Sequence, residues 1–572
     1  MYALAGIISK NGENVAEHMV SMMREHCGNE NYYSGLMVGD KTFNGKLNDL
    51  NIKAIEGSIG LCCVPLKKTH HASIYRDGSS GLTVVYDGII YNYKRKLSRD
   101  YKLISTTDVD IIRHLLKEED YKRNLVFAAK NILGNVEGGF AIAATNGNDI
   151  IAARDPVGFR TIYYGENDDF YAFATLKKAL WKVGIPKVLR LYAGNMIHIN
   201  KKQLGVLKIS QEEKFGVKIN IKDTPVAVSH YQESLSSAVE KMLGGLDKAG
   251  ILLSGGVDSC LLAKVLKDRA SELGVELTGY TIGLEGSHDL KYAEEFAKQI
   301  GLPLRMKTVT VNDLDKALPK VIKTVEERDH VQIETSLIPF IAMKMASQDS
   351  QKVVFLGQGP DELWGGYPWY PHLLKEWGYA KLHEMLWEDL IRGDVETLAR
   401  ENKVAQIFGI ELRYPYLDID VIKTAMSVAP QLKVLSNKDD LGKRIHRILA
   451  KKLGVPTATA ERKKIAAQHG SGIHEILMQI AQKHGFNNAL VNDLNYSSSK
   501  ITIEKLGSSS RYGYKYVSKD KWVIPNCIQL YFDYLAYKAG LLNENERTKI
   551  SSVFGNHRFN VDAEQLVKVH DI

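Results

Sequence analysis

Apolar residues fall into three regimes along the chain. Over the first two hundred positions they form short, nearly alternating runs: LTVVYDGIIYNY (82–93), GGFAIAATNGNDIIAARD (138–155) and TIYYGENDDFYAFAT (161–175). Turn formers such as NG and DD separate them, so the runs predict antiparallel strands and hairpins. Helical spacing interrupts them at 107–118, TDVDIIRHLLKE. This first region reads as an α+β domain, residues 1–205. Residues 206–228 show little periodicity and read as a connector.

The pattern then changes. AGILLS (249–254) is a short apolar strand followed by a glycine turn and a periodic helix, CLLAKVLKDRASELG. ELTGYTIG, the helix LKYAEEFAKQIG, the stretch PLRMKTVTV and the run KVVFLG (352–357) follow in order. Strands alternating with helices of ten or more residues predict βαβ units and a parallel sheet. Helical spacing dominates from about 370 to 483, so residues 229–483 read as one α/β domain. The remainder, 484–572, is a separate α+β extension of unknown role, with two Ser-rich strands predicted around SSSRYG and a helical tail.

Length and composition narrow this little. A chain of 572 residues exceeds what one core supports, and 44% hydrophobic with 25% charged residues describes an ordinary globular protein. The net charge of +8 is dispersed and permits an anionic partner. Five cysteines without a CxxC pair fit a reducing cytoplasm. No basic n-region opens MYALAGIISKNGENV, and no run of about 18 apolar residues occurs, so neither a signal peptide nor a membrane span is expected.

Chemistry enters with SGGVDS (254–259), at the end of a strand and the start of a helix. Glycines there let backbone approach a ligand, and a helix N-terminus offers N–H groups and positive dipole to an anion. Ser254 and Ser259 add hydroxyls. Asp258 would repel a bare phosphate but suits one that carries Mg²⁺. A plain strand-to-helix turn is the bland alternative. The other nucleotide signatures, GxxxxGK[ST] and a GxGxxG after a strand, are absent.

SGGxDS is also the pyrophosphate loop of the ATP pyrophosphatases, and the surrounding region resembles the synthetase domain of the asparagine synthetase B family. GQGPDELWGGY (357–367) resembles that family's GEGxDExFGGY, ELRYPYLD (411–418) its E-x-R-x-PFLD, YTIG (280–283) its strand beneath the adenine, and ERKK (461–464) the R-x-K element of its mobile loop. Upstream, YDGIIYNY, STTDVD and ARDPVGFRTIYY are similar to segments of the class II glutamine amidotransferase domain, an N-terminal-nucleophile hydrolase fold. The resemblance covers about 480 residues and leaves 484–572 unmatched.

It implies an AMP-forming ligase that adenylates a small-molecule carboxylate and joins it to ammonia or an amine, with ATP and Mg²⁺ as cofactors. By residue-wise carry-over, ATP lies against Leu252, Leu253, Ser254, Gly255, Gly256, Asp258, Ser259, Ile282, Gly283 and Gly357. Asp258 and Asp361 would bind Mg²⁺, Lys464 would stabilise charge on the acyl-adenylate, and Glu362 reads as a structural acid. A homo-oligomer is expected on the same ground.

Two departures shape the expectation. The hydrolase fold needs a nucleophile at residue 1, with its own α-amine as base. Here Met1 and Tyr2 occupy the start, Asp87 and Ile89 replace Asn and Glu of the family's NGE, and cysteines in SIGLCCV (58–64) stand about where a glutamine-binding Arg is expected. The domain therefore reads as an inactive glutaminase, with nitrogen coming as ammonia, from a separate glutaminase, or from an amine on the substrate. The second departure is Gln358, where asparagine synthetases carry Glu and β-lactam synthetases Tyr. An amide is no general base, so Gln358 leaves the acceptor open. A β-lactam-synthetase-like intramolecular ligase, a tRNA-modifying enzyme and a non-catalytic nucleotide-binding regulator stand as alternatives. The tRNA reading draws on the Tyr and Lys/Arg interleaving of SSSRYGYKYVSKDKW.

Overall fold

The computed structural model describes residues 2–27, 32–65, 74–77, 81–91, 124–209, 213–463, 473–496 and 525–542, plus the isolated positions 112, 116, 546–548, 551 and 554. The chain divides into two compact units, Met1–Glu213 and Lys214–Ile572. No helix among the described residues is long and apolar enough to cross a membrane.

Among the described residues, unit 1 holds thirteen strands in two antiparallel sheets. In chain order they are β1 (Tyr2–Ser9), β2 (Tyr33–Val38), β3 (Lys41–Lys46), β4 (Ile59–Pro65), β5 (Tyr75–Arg76), β6 (Thr83–Ile90), β7 (Gly138–Thr145), β8 (Ile150–Arg154), β9 (Tyr163–Glu166), β10 (Phe170–Ala174), β11 (Leu189–Arg190), β12 (Asn195–Ile199) and β13 (Leu204–Lys208). One sheet runs β11-β9-β10-β1-β4-β2-β3 and the other β13-β12-β8-β7-β6-β5. Its described helices include α1 (Ala16–Cys27), α2 (Leu125–Leu133) and α3 (Lys177–Lys182).

The alternation in sequence explains the layering. Successive side chains of a strand point to opposite faces. In β1, Ala3, Ala5 and Ile7 pack with Val15, Met19 and Leu180 of the helical side, whereas Leu4 and Ile8 pack with Val85, Ala141 and Ala143 of the other sheet. In β7 the opposite set, Ile142 and Ala144, meets Leu125, Ala128 and Ile132 of α2. Two sheets thus share an inner core and each carries helices outside, so both strand faces must be apolar.

Unit 2 contains a five-stranded parallel sheet: β14 (Lys248–Leu252), β15 (Glu276–Gly283), β16 (Leu304–Thr308), β17 (Val353–Phe355) and β18 (Glu411–Arg413). Its spatial order is β16-β15-β14-β17-β18. Its helices include α4 (Thr224–Leu243), α5 (Val257–Leu273), α6 (His288–Gln299), α7 (Val311–Val325), α8 (His330–Gln348), α9 (Ala399–Ile407), α10 (Arg444–Lys452), α11 (Ile473–Lys483) and α12 (Asn526–Lys538), together with the long Tyr370–Gly393 and the shorter Ile419–Ser427. The chain moves outward from β14 to β16, then returns to add β17 on β14's other side. Right-handed crossovers put the outward and returning helices on opposite faces. The crevice between β14 and β17, at their carboxyl ends, is therefore the topological switch point where ligands bind in such sheets.

Two stretches differ from the reading of the sequence. Residues 206–228 are not simply a connector: β13 extends to Lys208 and α4 begins at Thr224, capped by Asp223 through Val226 N at 3.0 Å with Pro in its first turn. An Asp N-cap and early Pro start a helix without periodicity having accumulated. The helical tail α12 packs on α7 and α11 within unit 2. The Ser-rich strand pair predicted around SSSRYG, within 497–524, and all but two residues of the helix predicted at 107–118, lie outside the described residues.

Ile251, fully buried, pairs with Gly279 on one side and Phe355 on the other. Ile251→Ala should destabilise by about 2–5 kcal/mol, read as an earlier urea midpoint with unchanged slope.

Candidate active site

The strands that flank the switch point lead into the two loops singled out from sequence. β14 passes through Leu252, Leu253 and Ser254 into Gly255 and Gly256, which N-caps α5 without a side chain to occupy its first N–H groups. Gly255 has φ of +70°, and a Cβ there would lie 2.7 Å from the Ala293 nitrogen, so only glycine lets the loop run against α6. The two serine hydroxyls are 3.0 Å apart. Ser259 Oγ also accepts from Ser254 N at 3.2 Å and donates to Gly256 O at 3.1 Å, which closes the loop on itself. Ile282 and Gly283 end the neighbouring β15, and Leu253 N bonds Tyr280 O at 2.9 Å.

β17 leads through Leu356 and Gly357 to Gln358 and to a short helix, Pro360–Trp364, with Asp361 in its first turn. Asp258 and Asp361 converge on one cation. Lys443 Nζ lies 2.9 and 2.7 Å from the Asp258 carboxylate oxygens and 2.7 Å from Asp361 Oδ1. The lysine side chain is 1% exposed. A Cβ on Gly366 would come within 2.1 Å of both Asp361 Oδ1 and Lys443 Cε, so the glycine clears the space in which the triad meets.

A hydrogen-bonded layer holds Asp258. Tyr416, from the 411–418 motif, donates to the Asp258 carbonyl at 2.8 Å. His446 Nε2 is 3.1 Å from Asp258 Oδ1, and its Nδ1 is 2.8 Å from the Tyr231 hydroxyl. Burial pushes the Tyr231 phenol well up, so it donates; burial likewise holds His446 below its ordinary value despite Asp258, so the ring is neutral. That fixes the tautomer with the Nε2 proton toward Asp258.

Gln358 does not stand alone. Its Nε2 donates to Glu401 Oε1 at 2.7 Å, and Tyr414 OH donates to Glu401 Oε2 at 3.3 Å. Burial pushes the Glu401 carboxyl up from 4.5 to about 7, against the pull of Arg400, Gln358 and Tyr414. Glu362 accepts from Tyr367 OH at 2.5 Å.

Residues 460–462, at the start of the ERKK segment, are anchored from both sides. Arg462 reaches Asp289 Oδ1 at 2.8 Å and Gly255 O at 3.4 Å, and its guanidinium covers the Tyr292 ring at 4.6 Å. Arg447 donates to Ala460 O at 2.6 Å, Arg462 O at 3.0 Å and Gly442 O at 3.0 Å. Lys464 lies outside the described residues.

Sequence reasoning missed Lys443, His446 and Glu401. Lys443 sits in DDLGKRIHRIL, where one more lysine before a basic amphipathic helix draws no attention. Only its left-handed backbone (φ +54°) and burial mark it, and neither is visible in one dimension.

In unit 1 the Asp87 carboxylate is committed. It accepts from Tyr2 N at 2.7 Å and pairs with Arg160 at 3.0 Å, both side chains buried. Cys63 lies opposite Leu4 on β4, and burial pushes its thiol well up, so it is no thiolate at neutral pH.

The donor set at the triad suits Mg²⁺. Two carboxylates converge on a single positive charge, and Mg²⁺ takes one or two carboxylates, its other ligands being substrate phosphates and water.

The Asparagine synthase family profile matches residues 230–381 and 375–530, more than half of the chain, and the profile described as a glutamine amidotransferase domain matches 63–182. A Methanocaldococcus jannaschii chain provisionally described as a glutamine-hydrolyzing asparagine synthetase is 29% identical over 88% of this chain and 100% of its own length. The glutamine-hydrolyzing asparagine synthetase of Brassica oleracea is 28% identical over 63% of this chain and 60% of its own length. Among solved structures, a Bacillus subtilis glutamine phosphoribosylpyrophosphate amidotransferase superposes with a TM-score of 0.33 at 15% identity, covering 53% of this chain and 65% of that one, a likeness too slight to carry an argument.

Two outcomes follow from the site. Lys443→Met leaves two buried carboxylates without their shared cation and should cost about 3–5 kcal/mol, with added Mg²⁺ recovering part of the loss in a thermal melt. Glu401 is protonated in the folded chain between 4.5 and about 7 but ionised when unfolded. Its contribution is therefore full below 4.5 and lost as pH rises through about 7, and Glu401→Gln should flatten that part of the stability–pH curve.

Proposed function

Because the chain belongs to the asparagine synthase family of ATP-dependent, amide-forming ligases, we propose that it adenylates a small-molecule carboxylate in the β14–β17 crevice and takes its nitrogen from a source other than its own N-terminal unit. The observation that carries the first half is the meeting of Asp258 and Asp361, from two strand ends, on Lys443 beside the start of α5.

Hydroxide is a poor leaving group, so a carboxylate must be activated before an amine can displace oxygen from it. In this reading a carboxylate oxygen attacks the α-phosphorus of ATP, and pyrophosphate departs toward the α5 N-terminus. Backbone N–H groups and the helix dipole there stabilise the growing negative charge. Asp258 and Asp361 would hold Mg²⁺, which when bound neutralises the phosphate oxygens of the nucleotide. Lys443, now balanced between the two carboxylates, adds positive charge at the same place. Neutral His446 and Tyr231 keep Asp258 oriented without adding a competing charge.

The second half rests on residue types in unit 1. The Tyr2 backbone nitrogen, at the start of β1, donates to the Asp87 carboxylate at 2.7 Å. Asp87, where the glutamine site resemblance calls for Asn, is consumed by Arg160. Ammonia from solution, a separate glutaminase or an amine on the substrate would then supply the nitrogen.

Incubating the full chain with ATP, Mg²⁺ and a panel of carboxylates that includes aspartate tests both halves. Pyrophosphate should appear only with an accepted carboxylate, and amide should form with ammonium but not with glutamine alone. Pyrophosphate release with no carboxylate dependence would overturn the adenylation reading, and glutamine-supported amide would overturn the account of unit 1. Asp361→Asn should raise the Mg²⁺ needed for half-maximal release about tenfold or more, equivalent to about 1.4 kcal/mol.

A further inference from the structure

The Asp258 carboxylate is held from two directions, and the two holds differ in stiffness. Lys443 Nζ reaches both oxygens, at 2.9 Å to Oδ1 and 2.7 Å to Oδ2. His446 Nε2 faces Oδ1 at 3.1 Å. A lysine carries its ammonium on a flexible four-carbon stem with rotatable donors, so Nζ can turn aside when another cation arrives. An imidazole packed on both sides has no such freedom.

His446 is packed in that way. It lies on α10 and is fully buried, as is Tyr231 of α4, whose hydroxyl is 2.8 Å from His446 Nδ1. Tyr416 meets the imidazole edge-on at 5.5 Å between ring centroids, and the Tyr231 ring lies 5.9 Å away. Tyr416, in the short turn Pro415–Leu417, also donates to the Asp258 main-chain carbonyl at 2.8 Å. Backbone and carboxylate of Asp258 are therefore held by interlocked side chains from separate elements. Tyr231 donates to Nδ1, which leaves the ring proton on Nε2, facing Oδ1.

A fixed donor on one oxygen matters because Mg²⁺ and Ca²⁺ take carboxylates differently. Mg²⁺ demands a near-ideal octahedron with oxygens at about 2.1 Å, whose edges are then about 2.9 Å long. The two oxygens of one carboxylate sit closer together than that edge, so Mg²⁺ takes one of them. Ca²⁺ is larger, accepts roughly six to eight oxygens in flexible geometry, and takes carboxylates through both oxygens as well as through one. A carboxylate with one oxygen spent on a fixed N–H suits the smaller ion and handicaps the larger.

We propose that His446 is a positioning residue that commits Asp258 Oδ1, so that Asp258 offers a divalent cation one oxygen and the crevice selects Mg²⁺ over Ca²⁺. The inference rests on the reading of Asp258 and Asp361 as the residues that hold Mg²⁺. His446 acts through Asp258, and Tyr231 acts through His446. Lys443 yields its place to the ion, whereas His446 stays.

The test uses the full chain, an ATP analogue with a methylene bridge between its α- and β-phosphorus, and Mn²⁺ as a paramagnetic probe. Bound Mn²⁺ is read by electron paramagnetic resonance and displaced with Mg²⁺ or Ca²⁺, so no turnover is needed. In the wild type Mg²⁺ should displace Mn²⁺ at lower concentration than Ca²⁺. His446→Leu, which releases Oδ1, should narrow that Ca²⁺/Mg²⁺ ratio about tenfold, chiefly through tighter Ca²⁺. His446→Gln, which keeps an N–H at the ε position, should stay within about twofold of the wild-type ratio. Tyr231→Phe keeps the ring but no longer enforces the Nε2 proton, and should narrow the ratio about threefold or more.

A purely structural role would lower stability in these variants and leave the ratio where it was. If His446→Leu and Tyr231→Phe both bind Mn²⁺ with the wild-type ratio, His446 does not govern the choice of ion, and the Mg²⁺ reading stands. Should His446→Leu fail to fold, the ratio in Tyr231→Phe decides. A wild type that prefers Ca²⁺ overturns the inference. A wild type that binds no Mn²⁺ with the analogue present overturns the metal assignment, and the inference falls with it.

Discussion

Two carboxylates from different strand ends share one buried ammonium, and the geometry of the unit 2 crevice depends on that meeting. Asp258 and Asp361 are like charges at low exposure, and left to themselves they would repel by several kcal/mol at the effective dielectric of a protein. Lys443 turns repulsion into a three-centre contact. For this the chain accepts a left-handed lysine backbone and a glycine at 366, where any side chain would strike both partners. The arrangement also explains why the surrounding groups are neutral. A charged His446 would compete with Lys443 for Asp258, and burial keeps it uncharged.

The sheet supplies the convergence. Because β17 is added back on the far side of β14, the loops after these two strands face each other although about a hundred residues separate them. Motifs that look independent in sequence then support a single place. Tyr416 braces the backbone of Asp258, Arg462 touches Gly255, and Arg447 ties the segment around residues 460–462 to Gly442. Charge and hydrogen bonding thus bind four separate stretches of chain around one crevice.

Unit 1 shows the opposite use of a charged residue. Asp87 could look like a remnant of a polar pocket, yet it is spent on Arg160 and on the amide of Tyr2. A buried ion pair of this kind is weak evidence for added stability, but losing one partner would strand the other. It gives the Asp87 carboxylate a buried structural partner.

Much of this was legible in the residues alone. Short alternating runs gave two-sided antiparallel sheets, and strand–helix alternation gave the parallel sheet, because periodicity reports which faces must be buried. SGGVDS and GQGPDELWGGY marked the two facing loops, because glycine and acid at strand ends have few other uses. What escaped were Lys443, His446 and Glu401, whose partners are met only by folding across distance. Lys443 reaches Asp258 over 185 positions, His446 reaches Tyr231 over 215, and Glu401 reaches Gln358 over 43. The start of α4 escaped for a local reason, since a capping Asp and a Pro replace periodicity as the signal. Sequence by itself determined the chemistry available at each loop. The tertiary structure decided which charges meet and that Gln358 is held by a buried acid, because burial and pairing are properties of neighbours in space.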